Sequence, residues 1–500
     1  MHGGGGKRCL LREAQLLIVL LLYTLIAQLF LNLDSPLHFP YLHLDSSWYY
    51  ICGKALMEGM TPYVDFTDSK GPLLWIIYGV GYLISGQDYI GVWILEVLYY
   101  SVVSYFAYRI AILLLNEKRW AFLTAALVQI PMLCWLDDDI HAEQWCLLSL
   151  MYLLYNLTCS CLNGNNKLST KSAIWCGVAV GIAVFIKWSV GLAYMILLCI
   201  IPLCGVFGSR SRSLVVITLK TYLLEMLGVF SVCLVVSLLM LSLGGLYGMF
   251  DEYFFATYGT IQGGTKSYQM SLLSEWCLTA KHLIFSPRCW ALIFVACTLP
   301  LFRKHRKKVW LIFISGVVLI MFFNIHDMRY YQMALASYAV FFFVFIAQIA
   351  TLYYGKLTSR SFGIIMCAVI FFEIYHCALM NRNMMLKFPA YPDIMAIEES
   401  ISNESDNPTI LCYRCNYSGI GISSRVSPST LYWSNQAGAN QDMLNHQDSV
   451  LMKRKADVVT VVADVESGNP NIQKVEDAGY KKIGEYEDAL FKKVHVYIRE

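Results

Sequence analysis

The residues able to do chemistry crowd into one stretch, "HLDSSWYYICGKALMEGMTPYVDFTDSKGP" from His43 to Pro72, with three aspartates, one glutamate and two lysines. Further charges stand out against apolar sequence: Asp137, Asp138, Asp139 and Glu143 in "DDDIHAEQW", Lys187 in "FIKWSVG", and Arg329 in "NIHDMRYYQ". A carboxylate at hydrogen-bond distance can take a proton from a hydroxyl. Lys and Arg in a low-dielectric pocket can neutralise a phosphate. Asp45, followed by Trp48, Tyr49 and Tyr50, is a candidate base beside aromatic rings suited to packing on sugar. Asp45 also reads as the cap of a short helix. Asp65 reads as a cap or structural acceptor, and Asp68 with Lys70 as a local turn pair.

These charges sit in a chain of 500 residues that is 57% hydrophobic and 15% charged. A soluble domain carries roughly a quarter charged residues. Apolar runs of spanning length recur from Leu16 to Met380, and only a bilayer houses so many. The reading is a polytopic α-helical membrane domain over residues 1–380 and a small α/β domain over 381–500. The net charge of +3 gives no nucleic-acid footprint. Most of the 17 cysteines lie in apolar runs and act as small hydrophobes. The CYRC motif, Cys412 to Cys415, is a disulfide or metal candidate, or simply two thiols in a strand and turn.

Basic clusters set the threading. "GKRCLLR" puts the N-terminus in the cytoplasm, and the run from Gln15 to Leu33 is too long for a signal-peptide core. "PLLWIIYGVGYLISG" is short and Gly-broken, so it lies on or part-way into the outer interface. "NEKRW", "GSRSRS" and "RKHRKK" then fall inside, giving about 11 transmembrane helices. The segments "DSSWYY", "DFTDSK", "DDDIHAE", "FDEYF" and "NIHDMRYY" all fall outside, with the C-terminal domain. Each alone reads as a wet polar loop; together they suggest a shared site.

The order of these motifs resembles the GT-C glycosyltransferases, the protein O-mannosyltransferase-like and lipid A aminoarabinose transferase-like membrane enzymes, particularly their bacterial branch. The resemblance rests on Asp45 just after the first span, on the block from Gly53 to Gly86 with its Lys70–Gly71–Pro72–Leu73 element, and on a second acidic loop. It covers roughly residues 15–200. It is looser at "NIHDMRYYQMALASYAV", where an R-x-Y segment has Ser337 in place of a proline.

The resemblance implies a GT-C-like fold in the cell (inner) membrane and a role in envelope biogenesis. The implied donor is a sugar on a polyprenyl phosphate, and the acceptor is unspecified. An outer-loop aspartate deprotonates the acceptor hydroxyl, which attacks the anomeric carbon, and lipid phosphate leaves with inversion. Position by position, Asp45 matches the first-loop aspartate. Glu143 falls at the second-loop acid, with Asp138 and its neighbours as alternatives. Lys70, Lys187, Arg329, Tyr331 and Trp48 take the substrate-binding positions. Many relatives pair the first aspartate with an acid; this chain has Ser46, so a divalent metal is possible but not specified.

The tail alternates strand-like runs, "TILCYR", "DVVTVVA" and "HVYIRE", with polar stretches, the pattern of a small α/β domain without a catalytic constellation. Asn403 and Asn416 open glycosylation sequons, relevant only in a eukaryotic secretory setting. The competing reading is a transporter or flippase, which would show inverted repeats and broken helices at matching positions. No internal repeat is visible. A polysaccharide polymerase or ligase on another membrane fold, or a non-catalytic GT-C relative, also stays open.

Overall fold

A computed structural model describes residues 4–32, 35–37, 44–86, 88–134, 142–162, 168–206, 212–256, 290–301, 306–323, 329–387, 391–415, 425–434, 441–463, 470–487 and 493–500. Six described helical stretches are long and apolar enough to cross a bilayer: Glu13–Leu31, Ile90–Leu115, Ala142–Leu162, Val216–Ser242, Ala334–Tyr354 and Ser359–Arg382. Shorter apolar helices occupy Pro72–Ser85, Thr170–Ile186, Trp188–Pro202 and Trp310–Phe322. Leu223, Val235 and Phe371 point outward on the long helices, as apolar side chains facing lipid should. Polar groups inside the bundle find one another instead. Gln129 donates to Thr24 and Ser104 at 2.8 and 2.7 Å, and Tyr23 donates to Glu373.

The first ten helices are α1 (Gly4–Leu31), α2 (Leu44–Met57), α3 (Pro72–Ser85), α4 (Ile90–Leu115), α5 (Lys118–Leu127), α6 (Gln129–Cys134), α7 (Leu147–Leu162), α8 (Thr170–Ile186), α9 (Trp188–Val206) and α10 (Arg212–Ser242). The run expected as one span near Ala121–Leu136 is two helices, α5 and α6, with Val128 between them. The pieces "SSWYY" and "PLLWIIYGVGYLISG" form α2 and α3, which pack closely on each other. Their contact is backbone to backbone: a Cβ on Gly53 would lie 2.5 Å from Gly79 N. Only glycine permits that approach.

The tail is an α/β unit. Its five strands are β1 (Thr409–Cys412), β2 (Ser427–Pro428), β3 (Val458–Ala463), β4 (Tyr480–Glu487) and β5 (Lys493–Arg499). They lie in the order β2-β1-β3-β5-β4. β1 is parallel to both β2 and β3, whereas β5 is antiparallel to β3 and β4. The apolar run "DVVTVVA" forms β3 with near-continuous burial, because it is a central strand covered on both faces. Cys412 lies in β1, and the Cys415 thiol meets the Thr460 carbonyl at 3.5 Å. β2 packs on α2, which brings the tail onto the segment richest in charge.

Candidate active site

Asp45 lies in the first turn of α2, where the helix dipole favours an anion. Four residues on, Tyr49 projects from the same face, and its hydroxyl donates to Asp45 Oδ2 at 2.9 Å. Tyr49 is 1% exposed. Burial pushes its hydroxyl well above the usual tyrosine range, and the nearby charges of Asp45, Asp68 and Glu143 push the same way. Tyr49 therefore stays a neutral donor, and three carboxylates lie close enough to act on it.

The loop after α2 supplies Asp68 and Lys70. Asp65 accepts from Thr61 N at 2.6 Å, the structural role expected of it. Tyr63, at φ 62°, donates from its hydroxyl to the Lys70 carbonyl at 2.8 Å. Gly71 then brings the loop against the end of α8: its N–H donates to the Ile186 carbonyl at 3.0 Å. A Cβ on Gly71 would lie 1.9 Å from the Phe185 carbonyl oxygen. Pro72 starts α3, the first-turn position where a missing N–H costs nothing. The K-G-P element is thus a close approach followed by a helix start.

Asp68 and Lys70 flank Ser69 where the loop bends just before α3. Their charged ends are 3.9 Å apart. The Lys70 ammonium also stands 5.6 Å over the Tyr49 ring, which joins the loop to α2. Asp68 is buried, and burial raises its pKa above the usual aspartate range; Lys70 pulls it down and Asp45 pushes it up. Among the described residues Asp68 Oδ2 has no hydrogen-bond partner.

Glu143 sits in the 3-10 turn Ala142–Cys146 that opens α7. Tyr99 of α4 holds this turn: its hydroxyl donates to the Gln144 carbonyl at 2.9 Å and accepts from Leu148 N at 2.8 Å. Lys187 occupies the break between α8 and α9. The last carbonyls of α8 would be orphans at a helix end. The Lys187 N–H, the Tyr253 hydroxyl and the Gly71 N–H take those of Ala183, Val184 and Ile186. The Lys187 ammonium donates to Glu143 Oε1, and both side chains are buried. Glu143 Oε2 has no hydrogen-bond partner among the described residues.

Of the sequence-derived site residues, Asp45, Lys70, Glu143 and Lys187 thus gather around Tyr49 and the end of α8. Trp48 faces the tail instead, its ring 4.9 Å from that of Trp433. Arg329 and Tyr331 begin the 3-10 turn Arg329–Tyr338, which packs against the Glu143 turn; their side chains lie outside the described residues. Ser337, in the place of the expected proline, donates to the Leu147 carbonyl at 3.0 Å. Asp138 lies outside the described residues, as do Asp137 and Asp139. Asp68 was readable in sequence only as half of a turn pair; its spacing from Lys70 was the signal for more. No group of three metal-ligating side chains converges among the described residues.

No family model and no curated protein matches the chain. By structure it is similar to crystal structures of ArnT from Cupriavidus metallidurans, a lipid A aminoarabinose transferase. The apo form aligns with a TM-score of 0.60 at 14% identity, covering 96% of this chain and 97% of that one. The form bound to undecaprenyl phosphate aligns with a TM-score of 0.57 at 12% identity, covering 95% and 97%. The likeness runs over nearly the whole of both chains, tail included, and the fold of this chain is the GT-C fold.

Proposed function

We propose that the chain is a membrane glycosyltransferase that moves a sugar from a polyprenyl-phosphate donor to a hydroxyl acceptor on the outer face of the cell membrane. The observation that carries this reading is the Asp45–Tyr49–Asp68–Lys70 cluster, which sets a tethered carboxylate and a cation side by side. The fold likeness supports it, since one ArnT structure holds undecaprenyl phosphate.

Asp45, oriented by Tyr49, takes the proton of the acceptor hydroxyl. The freed oxygen attacks the anomeric carbon, the bond from that carbon to the phosphate oxygen breaks, and lipid phosphate leaves with inversion at carbon. Lys70 meets the developing phosphate charge, where a partly buried ammonium counts for more than in water. Asp68 restrains Lys70. Arg329 and Tyr331 complete the phosphate side, and Asp138 the acceptor side. Lys187 serves by neutralising buried Glu143 rather than as an open cation. Trp48 walls the site toward the tail.

Purified protein in liposomes with a radiolabelled polyprenyl-phosphate sugar tests the reading. Transfer of label, or its hydrolysis with release of lipid phosphate, is the expected result. Movement of the intact lipid across the bilayer without bond cleavage would make the protein a flippase instead.

A further inference from the structure

Lys54 is the group the proposed chemistry leaves unexplained. It lies on α2, nine residues after Asp45, and is 2% exposed. A buried ammonium is costly unless its donors are met. Only Glu58 Oε2, at 3.5 Å, comes from the same segment. The other acceptors come from the tail: the Arg425 carbonyl, the Val426 carbonyl at 3.4 Å and Ser427 Oγ at 3.0 Å. Ser427 Oγ in turn donates to Glu58 at 3.1 Å. Arg425 sits at φ 57°, a left-handed conformation that a non-glycine residue holds only when its surroundings demand it. Here its carbonyl is aimed at Lys54.

The same tail segment reaches the rest of the site. Trp433, fully buried, packs its ring on Trp48, six residues before Lys54 and next to Tyr49 in sequence. The Leu431 carbonyl accepts from Thr67 N at 3.1 Å, the residue before Asp68. The Tyr432 hydroxyl donates to Glu252 at 2.9 Å, in the turn Met249–Ala256 whose Tyr253 closes the end of α8. Residues 425–434 therefore touch α2, the 61–71 loop and the Met249–Ala256 turn.

We propose that the C-terminal domain is a splint for the reaction site: residues 425–434 hold α2 and the 61–71 loop in position, and Lys54 and Trp433 are positioning residues for Asp45. The consequence for turnover rests on the reading of Asp45 as the base; the mechanical claim does not. A base displaced by about 1 Å can lose on the order of 10²-fold in rate.

The test uses the full-length protein in detergent or liposomes, with Lys54→Met, Trp433→Ala and the conservative Trp433→Phe. Hydrogen exchange of the peptide covering residues 44–57 should rise in the first two variants, with β3 and β5 as protected as before. Turnover per folded molecule should fall by about 10²-fold with donor KM unchanged, and Trp433→Phe should restore most of both. Unchanged exchange over residues 44–57 in both variants would overturn the splint, whatever the activity. Raised exchange with unchanged turnover in an active enzyme would overturn the positioning role. If the wild type transfers no sugar while exchange responds as stated, the splint stands and the transferase reading is what fails.

Discussion

Asp45 and Tyr49 face each other across one turn of α2, so changes at the two separate base from support. Asp45→Asn keeps the shape and the hydrogen bond but removes the base. Transfer per folded molecule should fall by about 10²–10⁴-fold, while binding of polyprenyl phosphate survives because Lys70 is intact. A near-normal rate would move the base to Asp138 or a neighbouring acid. Asp68 makes a pH prediction. Its pKa is raised by burial, so it takes up a proton at a pH where an exposed aspartate is still ionised. As pH falls through that raised midpoint, the site loses a negative charge beside Lys70. Affinity for the anionic lipid phosphate should therefore tighten on acidification. The phosphate titrates too, so the quantity to measure is the difference between wild-type and Asp68→Asn binding profiles: the variant should bind more tightly near neutral pH and lack this step. Identical profiles would remove Asp68 from the phosphate's surroundings.

The buried Glu143–Lys187 pair is a third case at this scale. Lys187→Met strands the Glu143 carboxylate in the interior, a loss of about 3–5 kcal/mol of stability. Adding Glu143→Gln removes the stranded charge, and melting in detergent should recover most of the loss. If the double variant melts no higher than Lys187→Met, the pair is not what Lys187 is for.

Among the elements, the contact between the 61–71 loop and the end of α8 sets where Lys70 can reach. Gly71→Ala would drive a methyl into the Phe185 carbonyl, backbone against backbone, with no flexible group to give way. The loop must move or α8 must bend. Donor affinity should drop as for a Lys70 substitution, although no charged group has been touched. Retained affinity would show that the loop does not place Lys70. The break at Lys187 belongs to the same contact: three groups from three segments take the final carbonyls of α8, and α9 starts afresh at Trp188. Neither the loop nor the helix end is complete alone.

For the whole molecule, charge placement predicts that Asn163 faces the cytoplasm and Glu500 the outside. Reporter fusions at the two positions should give opposite signals, and cytoplasmic signals from both would defeat the threading. The docking of the tail on α2 requires that both lie on the same side of the membrane, so a fusion in the α2–α3 loop should report the same side as Glu500.

Much of this protein was written locally. Spanning helices need only a run of about 20 apolar residues, so α1, α4 and α10 were legible without a fold. Shorter or broken pieces were not: Ala121–Leu136 reads as one run yet folds as α5 and α6. The strands of the tail were legible as apolar runs, and Asp45 as a candidate base among Trp48, Tyr49 and Tyr50; that Tyr49 is the one that bonds it came from the fold. The K-G-P element was legible as a motif, although the reason for its glycine lies in α8. What the sequence by itself determined was a polytopic membrane protein with charges concentrated behind its first span, because length, apolarity and charge are properties of neighbouring residues. Only the tertiary structure decided that Lys187 meets Glu143, 44 positions away, and that Lys54 meets Ser427, 373 positions away. No periodicity records such pairs, because they exist only once separate elements pack and a buried charge must find its partner.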